Sequence, residues 1–246
     1  MTEYSQLEMV HPLPPATLVD RVEYLQARCR GRRVVHVGFA DAGCQELNLQ
    51  SGAWLHEHLA TVAGELIGLD LDEAGVERAR ARGYEAHSVD CRDVAAVRAL
   101  ALPPADVVVA GEVIEHLDDP GSFLDGLHEL LAADGVLIIT TPNAIGLVNT
   151  AGLLANVEVN HPDHVVSYTC RTLDALLARH RWEPFEHEVY IQDVKSRGTD
   201  ARSRMLATGA RMVLGIERLL ARLGRPYAAG GLIVAARPVP GRPPSG

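Results

Sequence analysis

Five side chains in two short stretches have the types and spacing to hold a cation or move a proton: Glu112, Glu115 and His116, then His161 and His164. The first three fall at i, i+3 and i+4 directly after an apolar run, so a helical turn there would aim all three at one point. Carboxylates and imidazoles converging from two loops suit an octahedral Mg2+ or Mn2+, with positions left for water or substrate hydroxyls. Two carboxylates brought together in a cleft without a cation would repel each other. A bound ion also favours the alkoxide of an alcohol, whose ordinary pKa is far too high for attack at neutral pH. The competing reading of the same residues is a capped, solvated loop with His164 bonded to backbone.

These residues need a scaffold, and the chain reads as alternating strands and helices. Apolar runs at Val34 to Val37, Leu66 to Leu69, Asp106 to Ala110 and Val136 to Thr140, with a weaker one at Glu85 to Val89, read as strands. Helical segments fall between them at Ala53 to Val62, Glu73 to Arg82, Val94 to Leu100 and Phe123 to Ala132. That alternation predicts parallel pairing through right-handed crossovers, with helices on both faces of the sheet. Pro142 stops the fifth strand, and residues 143–165 form a cover segment beyond the strand ends. A helix at Leu173 to His180, a strand at Phe185 to Ile191, a long helix at 199–223 and a last strand at Leu232 to Ala235 follow. The expected fold is α/β and Rossmann-like: a seven-stranded, mostly parallel sheet ending in an antiparallel edge. One domain is expected over residues 1–237, with a disordered proline-rich tail at 238–246.

In such a sheet a ligand sits beyond the carboxyl ends of the strands, where strand order reverses. Gly38, Phe39, Ala40 and Gly43 follow the first predicted strand, and two glycines there would let backbone approach a ligand closely. Asp70 with Leu71 ends the second strand, where the carboxylate is placed to accept from ribose hydroxyls. Asp90 with Cys91 follows the third and is placed to meet an adenine amino group, and Gly111 follows the fourth.

This order of glycine loop, acidic end of strand two and acidic end of strand three resembles the class I S-adenosylmethionine (SAM)-dependent methyltransferases over roughly residues 30–195. The family usually has an acidic residue where His36 stands and glycine where Ala40 stands. A dinucleotide fold would need a tighter glycine loop entering a helix, because pyrophosphate uses that helix N-terminus. The segments 112–116, E-V-I-E-H, and 161–164, H-P-D-H, are similar to the metal motif of small-RNA 2′-O-methyltransferases, and the first also to O-methyltransferases of ubiquinone synthesis. The resemblance implies a divalent ion on Glu112, Glu115, His116 and one of His161 and His164, with the remaining histidine as base; His164 is expected as the ligand, and His161 with Glu112 as the catalytic residues. The segment around Ser51 to Leu59 looks like that of methyltransferases in actinobacterial glycan pathways.

A formal charge of −9 and 4% aromatic residues argue against an extended nucleic-acid surface, which needs cations and stacking platforms. Asn143, Asn149, Asn156 and Asn160 on the cover segment suit sugar hydroxyls. The expected acceptor is therefore saccharide-like, with a phenol, catechol or quinone as the enzyme alternative and a non-catalytic SAM-binding protein as the other. Four irregularly spaced cysteines imply neither a zinc ribbon nor disulfides and fit a reducing cytosol. No apolar run approaches the ~20 residues of a membrane span, so a cytoplasmic protein with no membrane partner is expected, and a homodimer is left open. His56 and His58 are expected at a helix surface, and Trp54 and Trp182 as core anchors.

Overall fold

The computed structural model describes residues 10–41, 52–154, 156–192 and 201–239. In chain order the elements are β1 (Leu18–Val19), α1 (Arg21–Cys29), β2 (Arg33–Val37), α2 (Leu55–Ala60), β3 (Glu65–Asp70), α3 (Glu73–Arg80), β4 (Glu85–Ser88) and α4 (Val94–Ala99). Then come β5 (Ala105–Gly111), α5 (Pro120–Leu127), β6 (Leu131–Pro142), α6 (Leu147–Leu154), α7 (Cys170–Arg179), β7 (Trp182–Tyr190), α8 (Ala201–Arg222) and β8 (Gly231–Pro238). A single turn of 3-10 helix, Ile114–His116, follows β5.

The strands form one sheet in the order β1-β7-β8-β6-β5-β2-β3-β4. β2 pairs in parallel with both β3 and β5, so the chain runs outward through β3 and β4 and then returns to the far side of β2. The switch in strand order therefore lies between β2 and β5. Side-chain alternation sorts the interior into two layers, as the two-residue period of a strand requires. Val35, Val37, Val108 and Ala110 pack with Phe123, Leu124, Leu127, Leu173 and Leu177 on one face. Val34, Val107 and Val109 pack with Leu25, Cys29, Leu55 and Leu59 on the other. Because both faces are covered, these strands read as continuous apolar runs.

Local signals set the helix starts. The Asp20 carboxylate accepts from the Val22 and Glu23 amides at the start of α1, and Thr169 and Thr172 form a reciprocal cap at α7. Asp119 caps α5, whose first residue is Pro120, a position where its missing N–H costs nothing. Gly126 on α5 lies against the Cys91 carbonyl, where an added Cβ would sit 1.9 Å from that oxygen.

The expected antiparallel pairing of the two last strands is present, with β8 bonded to both β6 and β7. Three expectations need correction. The sheet has eight strands rather than seven, because Leu18–Val19 adds a short parallel partner to β7. The helix expected to reach Ala132 ends at Leu127, since β6 begins at Leu131. His56 is fully buried, because α2 turns Leu55, His56 and Leu59 inward together. Trp54 and Trp182 are both core residues, and their indole N–H groups donate to the carbonyls of Phe39 and Leu124. The tail residues 240–246 and Gly43 lie outside the described residues. No described helix is long and apolar enough to cross a membrane.

Candidate functional site

Beyond the carboxyl ends of β2 and β5, at the switch in strand order, lies a cavity of about 880 Å3 walled by Arg21, His36, Asp41, Gly111, Glu112 and Tyr190, among others. The exit from β5 is unusual. Glu112 adopts φ +58, a left-handed conformation that a residue with a Cβ disfavours, and such strain persists only where neighbours fix it. Here its carboxylate accepts from the Tyr190 hydroxyl and, at 3.1 Å, from the Gln192 amide. Arg21 stacks 5.5 Å from the Tyr190 ring centre and donates to the Thr140 hydroxyl at 3.1 Å. Burial, then the charge of Glu112, pushes the Tyr190 phenol well above its usual range.

The glycine loop is fixed from below. Gly38 has φ +73, and a Cβ there would lie 2.0 Å from Val113 Cγ2, so both backbone angle and space call for glycine. Phe39 turns fully into the core under Gly68, which makes its side chain part of the packing. The Ala40 amide donates to Asp70 Oδ2 at 2.8 Å, and the Asp72 amide to Asp70 Oδ1 at 2.9 Å. Asp70 thus ties the loop to the end of β3, with further lone pairs left on both oxygens. Leu71 beside it is exposed and Cys91 is buried. Asp90 is held by Arg92, which also reaches Asp118, and this guanidinium keeps the Asp90 carboxyl below its usual pKa. Of the expected cofactor residues, Gly111 walls the large cavity, Gly38, Phe39 and Ala40 follow β2, Asp70 and Leu71 stand at the end of β3, and Asp90 and Cys91 follow β4.

Glu112 and Glu115 part company. The turn begins at Ile114, so Glu112, in its left-handed conformation, is not on a helical face with Glu115, and it points to Tyr190 and Gln192. The structure instead gathers Glu115, His116 and His164, whose ligand atoms lie within 4.8 Å of one another. Glu115 is buried, and its Oε2 accepts from the Thr141 hydroxyl at 3.0 Å. Its Oε1 has no hydrogen-bond partner. Burial first, then the nearby charge of Glu112, pushes its carboxyl up to about 8. The cover segment is pinned to this turn, because the Val165 and Val166 amides both donate to the Glu115 carbonyl.

The histidines are oriented by oxygen acceptors. His116 Nδ1 lies 3.2 Å from the Asp163 carbonyl and His164 Nδ1 lies 2.7 Å from Asn160 Oδ1. Each Nδ1 therefore carries the proton and each Nε2 presents its lone pair, the arrangement that orients metal-binding imidazoles. His161 is exposed, with its ring centre 6.0 Å from that of His116 and 5.4 Å from that of His164, outside the group of three. Glu115 and His164 open onto a second cavity of about 560 Å3, walled also by Asn149, Asn156, Asn160, Leu153 and Val157. The donor set of a buried carboxylate with an orphaned oxygen and two imidazoles fits a divalent cation.

Three features escaped the sequence reading. Arg21 lies in a stretch to which no element was assigned, although Asp20 followed by apolar residues at 22, 25 and 29 carries a helix-start signal. Tyr190 and Gln192 reach the site through tertiary packing alone. The third is a buried histidine pair, His36 and His56, whose Nδ1 atoms lie 3.2 Å apart. Phe39, Trp54 and Tyr84 surround His56. Burial lowers both, His56 to about 4, with His56 and Arg21 adding to the shift at His36. A second grouping, Cys170, Asp174 and His187, is satisfied internally: His187 bonds Asp174 at 2.9 Å, and the Cys170 sulfur lies 3.6 Å from the Tyr227 hydroxyl.

Comparison with known proteins agrees with this architecture. Residues 41–137 match the family model described as a methyltransferase domain. A probable SAM-dependent methyltransferase of Mycolicibacterium smegmatis is 42% identical over 123 residues, which cover 49% of this chain and 42% of that protein. A ubiquinone biosynthesis O-methyltransferase of Leptothrix cholodnii is 27% identical over 146 residues, 58% of this chain and 56% of that one. The aligned stretch thus spans about half the length of these relatives. Among solved structures, magnesium protoporphyrin IX methyltransferase from Synechocystis with bound SAH superposes with a TM-score of 0.52 at 12% identity, covering 87% of this chain and 80% of that one. Over residues 41–137 this chain is thus similar in sequence to a methyltransferase domain, and its fold is the Rossmann-like α/β fold of SAM-dependent methyltransferases.

Proposed function

We propose that the chain transfers the methyl group of SAM to a hydroxyl of a saccharide or related polyhydroxylated small molecule, with Mg2+ or Mn2+ held by Glu115, His116 and His164. The observation that carries this reading is the buried Glu115 carboxylate, its Oε1 without a partner, beside two imidazoles at a cavity wall. SAM occupies the cavity at the switch between β2 and β5, with Asp70 toward its ribose. Asp90 reaches an adenine only by sharing its oxygens with Arg92. Glu112, fixed by Tyr190 and Gln192, presents negative charge on that side, complementary to a sulfonium. The acceptor enters the smaller cavity, where Asn149, Asn156 and Asn160 offer hydrogen bonds to hydroxyls.

A bound ion supplies charge compensation for Glu115 and acidifies a coordinated hydroxyl. His161, exposed next to His116 and His164, is positioned to accept the proton released as the oxygen attacks. The rate follows from alignment, since the sulfonium methyl is already electrophilic.

A quinone or phenol acceptor is the second reading. It is favoured by Ile145, Leu153, Val157 and Val159 on the wall of the smaller cavity and by the printed name of the Leptothrix relative. One assay separates the readings: methyl-labelled SAM offered with saccharides, catechols and an RNA 3′ end, before and after EDTA, with Mg2+ and Mn2+ added back. Transfer to saccharide that EDTA abolishes, and that Glu115→Gln and His164→Ala depress by about 100-fold, is expected. Full activity in EDTA removes the metal, and preference for the catechol or the RNA end replaces the acceptor.

A further inference from the structure

The outer side of α8 carries large apolar residues in open solvent. Met212, Ile216, Leu219 and Leu223 are 66%, 46%, 54% and 66% exposed. Their spacing of four, three and four residues puts them in one stripe along the helix. The inner side is separate, with Leu214 and Glu217 buried against the body of the protein. Single exposed apolar residues are ordinary, but four in line on one helix mark a contact surface.

Charge decides what the contact is. Arg211, Arg218 and Arg222 are exposed and fall on the flank next to the stripe, and Arg225 is exposed just beyond the helix end. Residues 201–225 contain six arginines and one acidic residue, within a chain whose net charge is −9. A second copy laid against this helix would oppose arginines to arginines. We infer that α8 docks on an anionic lipid bilayer, its apolar stripe in the interface and its arginine flank among acidic headgroups. A helix lying in the surface needs an apolar stripe and flanking cations rather than a span of twenty apolar residues, so the absence of such a span does not oppose it. This replaces the expectation of no membrane partner.

Position adds to the argument. Arg218 stands on the wall of the larger cavity, and α6, which contributes Asn149 and Leu153 to the smaller one, packs against α8. A bilayer beneath α8 would therefore lie beside both cavities, independently of which acceptor enters them.

The test is co-flotation of the full chain with vesicles of phosphatidylcholine alone or with about a third phosphatidylglycerol, at low and high salt. Binding at least about ten-fold stronger to the anionic vesicles, and reduced by salt, is expected from several arginines near the surface. Ile216→Glu combined with Leu219→Glu should abolish it, and Arg211→Glu with Arg222→Glu should weaken it about ten-fold or more, each with an unchanged far-UV spectrum and melting temperature. Equal partition to neutral and anionic vesicles, or none to either, overturns the proposal. A stable dimer that dissociates in the Ile216→Glu, Leu219→Glu variant without vesicle binding assigns the stripe to a second copy instead.

Discussion

Acidification should unfold this protein through the buried histidine pair, and His56 sets the size of the effect. In the unfolded chain His56 takes up a proton near its ordinary pKa of 6.5, whereas in the folded chain burial lowers that value to about 4. Between those two values the unfolded state binds more protons, so stability present above pH 6.5 is lost as pH falls toward 4. With about 1.4 kcal/mol per pKa unit, the loss from this one site is about 2 kcal/mol by pH 5 and about 3 kcal/mol below pH 4. His36 shifts in the same direction, and one Nδ1 must accept from the other, so protonation of both rings sets N–H against N–H. Urea unfolding at pH 7.5 and pH 5.0 measures the difference directly. His56→Phe removes the titration while keeping an aromatic ring among Phe39, Trp54 and Tyr84. The variant should start about 1–3 kcal/mol less stable, because His36 loses its partner. Its loss between pH 7.5 and 5.0 should then be smaller than in the parent by about 2 kcal/mol. Equal losses in the two proteins would refute the assignment of acid lability to this pair.

Gly38→Ala should cost about 1–3 kcal/mol, since it adds a clash with Val113 to the strain of a positive φ. Gly83→Ala, at φ +88 with nothing within 4 Å, isolates the backbone part of that cost, and equal melting shifts in the two variants would exclude the clash. Asp70→Ala should weaken SAM binding by about 1.5–3 kcal/mol in calorimetry through lost charge-assisted bonds. Unchanged affinity in a folded variant would remove Asp70 from the ribose site.

The α/β architecture was legible because interior parallel strands cannot hide: Val34 to Val37 and Val107 to Ala110 are apolar on both faces and stand between helical segments. β1 was not, because two residues carry no period, and its pairing with β7 depends on register 171 residues away at Leu18 and Val189. The closeness of Glu115 and His116 was legible from their spacing within one turn, whereas spacing did not choose between His161 and His164 on the cover segment. Glu112 did not stay with Glu115 and His116, because the i, i+3 rule assumes a helix that already includes residue 112, and the chain there bends into a left-handed residue first. His56 was misplaced for a related reason. Polarity suggested the solvent side of α2, and only the stacking of Phe39, Trp54 and Tyr84 around it shows why an imidazole is kept inside.

The place of β8 has a consequence for how the molecule is made. β8 lies between β6 and β7, so neither β7 nor β1, which pairs with β7, joins the rest of the sheet until residues 231–238 are present. A ribosome delivering this chain from its N-terminus can release β2 to β6 as a pairable set, while β7 waits for the strand made after it. During that interval the free side of β6 is an unpaired sheet edge, the kind of surface that invites association between nascent chains. Synthesis speed between Pro142 and Gly231 should therefore govern yield more than any step before it.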